Sequence, residues 1–190
     1  MPLQMPLWHL LWEFTVTAAQ PEMQKLNELT NETVHLMGIS DGDVIYLDKL
    51  NTRHTLGLMS YIGKKNPMYC TSGGKCIMAF KAESWLTEYF VQHVPFHRYT
   101  KFTLTEPEQI RQALAQIRHD GYALDNCEHH DDLICVAAPI FDAQNNVIAA
   151  ISVSAPSQRF SKEQAMQIAP LVRKCAQATS AKLGSTFQIK

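Results

Sequence analysis

Apolar and polar positions along the chain fall into two repeating patterns. Residues 33–39 read Thr-Val-His-Leu-Met-Gly-Ile, meet Asp41-Gly42, and return as Val44-Ile45-Tyr46-Leu47. Asp-Gly between apolar runs supplies the positive φ angles of a two-residue turn, so this stretch predicts an antiparallel hairpin. A second hairpin is predicted from the apolar run 134–141, the turn 142–146 and the return 147–154. Helical spacing fills the intervals. Met23, Leu26 and Leu29 predict a helix over 20–29, with Pro21 in its first turn. Residues 75–80 predict a buried helix entered through Ser72-Gly73-Gly74, and Trp85, Leu86 and Phe90 a second one from about Ser84. Ile110, Leu114 and Ile117 stripe a helix over 106–119, with Thr105 and Glu108 as a capping box and Asp120-Gly121 as its stop. Ser161 and Gln164 cap a last helix whose core face carries Ile168, Leu171, Val172 and Cys175, and Pro170 should kink it. A short strand is expected around 56–60, and a basic polar loop over 63–67. The sum is an α+β domain, a mostly antiparallel sheet with helices packed on it.

The 190 residues allow one sizeable core. Residues 20–190 are read as the domain and residues 1–19 as an apolar segment left from a linker or an interface. That segment is broken by Pro2, Pro6, His9 and Glu13 and is not a membrane span. Its Leu7, Trp8, Leu10, Leu11, Trp12 and Phe14 are expected to be buried against this domain or another subunit. A hydrophobic content of 46% with 18% charged residues argues for a folded domain, and a net charge of -1 gives no electrostatic footprint for nucleic acid. Cys70, Cys76, Cys127, Cys135 and Cys175 are odd in number and form no CxxC pair, so reduced thiols and a cytoplasmic location are expected.

Three places could carry chemistry. Ser72-Gly73-Gly74 enters a helix, where unpaired amides and the helix dipole favour a carboxylate or phosphate; a plain turn and cap has the same pattern. Ser152 and Ser154 alternate on an apolar strand and so share one sheet face, either satisfied inside the core or lining a polar pocket. Residues 125–132, Asp-Asn-Cys-Glu-His-His-Asp-Asp, are dense in potential metal ligands, but consecutive loop residues cannot all face one ion, and a solvated loop is the alternative. A Cys135 nucleophile has no supporting motif.

Ile62–Lys75 (IGKKNPMYCTSGGK), Gly121-Tyr122-Ala123-Leu124-Asp125, residues 135–142 (CVAAPIFD) and residues 151–156 (ISVSAP), with Thr33 to Leu36, resemble the effector-binding domain of the IclR family of bacterial transcriptional regulators, in order and spacing. The resemblance implies a curved sheet of GAF or profilin type with a ligand pocket on its face, dimers or tetramers, and DNA contact only through a winged helix-turn-helix domain that this chain does not contain. It implies no catalysis, metal or cofactor. It assigns carboxylate-binding amides to Ser72 and Gly73, a pocket aspartate to Asp125, a pocket cysteine to Cys135 and pocket hydroxyls to Ser152 and Ser154. Lys65-Asn66-Pro67-Met68-Tyr69 resembles the loop of regulators of sugar-acid catabolism, so a keto-deoxy sugar acid or related 2-keto or hydroxy acid is the expected effector class. The competing readings are an enzyme acting on a small acid through Cys135, and a sensor with a metal in its pocket.

Overall fold

The computed structural model describes residues 7–55 and 57–189, with side chains described from residue 11 onward and without that of Leu56. Helix α1 (Leu7–Thr30) leads into strands β1 (Thr33–Ser40), β2 (Asp43–Leu50) and β3 (Lys65–Pro67). Helices α2 (Ser72–Ala79), α3 (Glu83–His93) and α4 (Pro107–Asp120) follow, then β4 (Ala123–Asn126), β5 (Leu133–Phe141), β6 (Val147–Pro156) and α5 (Lys162–Lys182). The strands make one curled antiparallel sheet in the order β3-β2-β1-β6-β5-β4. The two hairpins foreseen in the sequence, β1–β2 and β5–β6, join through β1 against β6.

The turns are where their residues place them. Asp41 and Gly42 both take positive φ, 53° and 83°, as a tight hairpin requires. Gly121 ends α4 in the left-handed region at φ 76°. Ser161 and Gln164 form the expected reciprocal cap on α5, and Pro170 lies inside that helix. Four local expectations differ from the structure. The described part of the first helix begins at Leu7 rather than at Gln20, and Pro21 lies inside it. Its buried positions are Thr15, Ala19, Met23 and Leu26, a stripe that begins among the apolar residues before Pro21, while Leu29 is exposed. No strand forms among the described residues of 56–60; residues 65–67, read as a loop, pair with β2 instead. Thr105 does not cap α4: Glu106 is the N-cap without a side-chain bond, and the Thr105 hydroxyl accepts from Arg98 at 2.8 Å. Leu11 and Phe14 are exposed in the single chain, and the expectations for the side chains of Leu7, Trp8 and Leu10 fall outside the described residues.

The sheet separates two cores. On one face Val34, Leu36, Val136, Ile151 and Val153 pack against α1 and α5. On the other, Met37, Ala137, Phe141 and Ala150 meet α2, α3 and α4. Arg159, in the turn after β6, donates to both carboxylate oxygens of Glu32 at 2.7 and 2.8 Å and ties that turn to the α1–β1 junction.

Candidate ligand-binding site

Period two sorts the side chains of the central strands between these faces. Asp125 pairs with Cys135, Cys135 with Ser154, and Ser154 with Thr33, so these four form a row across β4, β5, β6 and β1. The next row along the strands is Ala123, Ala137, Ser152 and His35. The sequence-derived candidates on three strands therefore share one face, the face under α2. Asp125 is 1%, Ser152 1% and Ser154 3% exposed, so their polarity is buried.

The start of α2 supplies the other two candidates. Thr71 is its N-cap but makes no side-chain cap. Its hydroxyl instead donates to the Pro67 carbonyl at 2.7 Å. The first amides of the helix, at Ser72 and Gly73, therefore lack the usual side-chain acceptor. The two glycines have separate reasons. A Cβ at Gly74 would lie 2.3 Å from the Met68 backbone, so Gly74 lets the helix approach the preceding segment. A Cβ at Gly73 would meet the Met37 thioether at 2.2 Å, so Gly73 brings the helix start down onto the β1 side chains of the polar face.

A loop network closes the β4 end. Asp125 Oδ1 accepts from the Glu128 amide at 2.7 Å and the His129 amide at 3.4 Å. Thr100 donates to the Cys127 carbonyl and Thr103 to the Glu128 carbonyl, each at 2.6 Å. Lys75, on α2, forms a largely buried ion pair with Glu128, whose Oε2 has no hydrogen-bond partner. Burial and the Glu128 charge push the Asp125 carboxyl up to about 7, against the opposing pull of Lys75 and the two amides. Burial also raises the Cys135 thiol well above its ordinary value, so it is not a ready thiolate; its partner is the Ser154 hydroxyl. His129 is driven down to about 4 by burial and then by His130 and Lys64. Among the described residues no cluster of three or more His, Cys, Asp or Glu is arranged to hold a metal ion. The dense segment 125–132 instead folds back on the Asp125 carboxylate.

Two residues were missed. Lys75 is a cation in an otherwise buried apolar helix, and His35 an imidazole in a buried strand. Each is a polar residue where the burial pattern calls for an apolar one, and that mismatch was the available signal. Two roomy grooves on the described surface lie away from the six candidates. One of about 580 Å³ runs between α1 and β2, lined by Val16, Ile45 and Leu47. The other, about 460 Å³, borders α4 and β4 and ends on Lys75 and Glu128. No described helix is long and apolar enough to cross a membrane.

Comparison with known proteins gives the same reading of the fold. The family profile described as bacterial transcriptional regulator IclR C-terminal matches residues 15–181. The HTH-type transcriptional regulator KdgR of Escherichia coli is 33% identical over 169 residues, which is 89% of this chain and 64% of that protein. The chain thus spans just under two thirds of that relative. The crystal structure of the E. coli KdgR C-terminal domain superposes with a TM-score of 0.80 at 31% identity, covering 90% of this chain and 99% of that one. Thermotoga maritima IclR gives a TM-score of 0.84 at 32% identity, covering 90% and 69%. Relatives of this kind are named as transcriptional regulators or repressors, not as enzymes. With its family profile spanning most of the fold, including all six strands, this chain belongs to the IclR family of bacterial transcriptional regulators, as a C-terminal domain of that family.

Proposed function

We propose that the polar face of the sheet binds a small carboxylate-bearing metabolite and that this chain is the effector-binding part of a cytoplasmic transcriptional regulator. The observation that carries the reading is the convergence of Asp125, Cys135, Ser152 and Ser154 on one buried face, beneath the start of a helix without a side-chain cap. Helix amides of this kind bind anions, and here Ser72 and Gly73 present them. In this reading the effector's carboxylate sits on those amides, and Ser152 and Ser154 hydrogen-bond its second oxygen or an adjacent oxygen. Asp125, with its carboxyl near 7, is able to accept from a ligand hydroxyl when ionised and to donate to one when protonated. Cys135 is a small, weakly polar wall. The effector class is a 2-keto or sugar acid, supported by the KNPMY stretch at 65–69. In this reading effector binding controls DNA binding by a winged helix-turn-helix domain. Leu11 and Phe14, at 45% and 68% exposure on α1, support assembly with a second copy, as a dimer or tetramer.

The experiment is a thermal-shift screen of the chain against 2-keto acids, hydroxy acids and sugar acids. A ligand at 100 times its dissociation constant adds about 2.7 kcal/mol of stability. At least one acid should raise the melting temperature while its amide does not. A flat response to the whole panel overturns the reading.

A further inference from the structure

His35 is 1% exposed in the middle of the sheet. Its Nε2 is 2.8 Å from the Ser60 hydroxyl, and its ring stacks on Tyr46 with centroids 4.3 Å apart and planes 16° from parallel. Its Nδ1 is buried with no hydrogen-bond partner. Stranding an imidazole nitrogen costs free energy unless something bonds to it. Position says what could do so. His35 lies directly across from Ser152 in the β1–β6 register, so the two side chains are neighbours on one face. Two residues along the same face, Met37 fills the space over Gly73 at the start of α2. His35 therefore sits at the corner of the polar face where the serine strand meets the helix amides.

We propose that His35 contacts the effector, with Nδ1 hydrogen-bonding the hydroxyl or keto oxygen on the carbon next to the effector's carboxylate. This rests on the polar face being the effector site. A neutral oxygen is the partner that fits. Burial, with Lys49 and Lys64 adding to it, drives the imidazole down to about 3, so the ring is uncharged and offers one donor and one acceptor. Ser60 is able to donate to Nε2 or accept from it, so the free nitrogen can be set as donor for a keto oxygen or as acceptor for a hydroxyl. Ser60 itself is fixed, because Lys49 Nζ donates to its carbonyl at 2.8 Å and to that of Leu58 at 3.1 Å. The segment between β2 and β3 thereby holds the ring in place. The spacing also separates two roles. Asp125 lies two strands from Ser152, roughly 10 Å at ordinary strand separation, so it reads the far end of a chain of about six carbons while His35 reads the near end.

The test uses the full chain and two matched pairs of probes, pyruvate against propionate and gluconate against 2-deoxygluconate, which differ in the oxygen at carbon 2. His35→Phe keeps a ring against Tyr46 and removes both nitrogens. It should weaken the oxygen-bearing acid by about ten-fold and its deoxy partner by less than two-fold. His35→Gln should fall between parent and His35→Phe. In the parent chain labelled with 15N-histidine, the His35 ring signals should move on adding the oxygen-bearing acid; this readout needs no variant to fold. If both His35 variants bind like the parent and the His35 signals stay fixed, while Ser152→Ala with Ser154→Ala loses binding, the inference is overturned and the effector site stands. If the serine variant also binds like the parent, or no oxygen-bearing acid binds the parent, both are overturned.

Discussion

Ile151 and Ser152 are consecutive residues on one strand, and they live in different environments. Ile151 is fully buried among Val34, Leu36, Val136 and Val153, between the sheet and helices α1 and α5. Ser152 points to the opposite face, in a row with His35 and beside Cys135, Ser154 and Asp125. Both faces are buried, but one buries chiefly hydrocarbon, whereas the other adds hydroxyls, a carboxyl, a thiol and an imidazole to its apolar core. Apolar burial stabilises at roughly 25 cal/mol per Å², whereas a buried polar group costs free energy unless it is bonded. The polar positions therefore give up stability that apolar side chains there would supply, and the strand's two-residue period keeps them off the face packed on α1 and α5.

That contrast can be broken first at the Lys75–Glu128 ion pair. Lys75→Met should cost about 3–5 kcal/mol in urea denaturation, because it leaves the Glu128 carboxylate buried without its cation. Lys75→Met combined with Glu128→Leu should recover most of that loss; if the double variant is no better than the single, the pair is not what holds the β4 loop. Next come the neighbours themselves. Ile151→Ala should cost about 2–5 kcal/mol and leave effector affinity within two-fold of the parent. Ser152→Ala should cost less than about 1 kcal/mol and weaken the effector. Similar losses of stability in the two variants would erase the distinction between the faces.

A subtler effect is in pH. The folded state holds the Asp125 carboxyl near 7, above its unfolded value. Its contribution to stability is fully present below about 4, where both states are protonated, and is lost as pH rises through about 7. Asp125→Asn keeps an oxygen to accept from the Glu128 and His129 amides but cannot ionise. The parent should lose more stability than Asp125→Asn between pH 4.5 and 7.5. Parallel profiles would show that Asp125 is not the group responsible.

Much of this was legible in the residues. The two hairpins, the α5 cap and the stop at Gly121 follow from local turn and cap chemistry, which the surroundings leave intact. The shared face of Ser152 and Ser154 follows from period two alone. The pocket roles of Asp125 and Cys135 came from resemblance, because their place beside the serines depends on the β4–β5 and β5–β6 registers, which are long-range properties. The first helix was misplaced because Pro21 reads equally as a first-turn residue and as an interior one; the apolar stripe on both sides of it decided the outcome. β3 was missed because three residues carry too little periodicity, and its pairing with β2 defines it. The Lys75–Glu128 pair joins residues 53 apart, beyond any local pattern.

The central claim is that the buried polar face is the effector site. Its most direct test is calorimetric titration of the tightest acid from the screen into the parent chain and into Ser152→Ala with Ser154→Ala. Each hydrogen bond lost to a charged group costs about 1.5–3 kcal/mol, so the double variant should bind at least 100-fold more weakly, with an unfolding midpoint close to that of the parent. Equal affinity in the two proteins would place the effector away from this face and contradict the account.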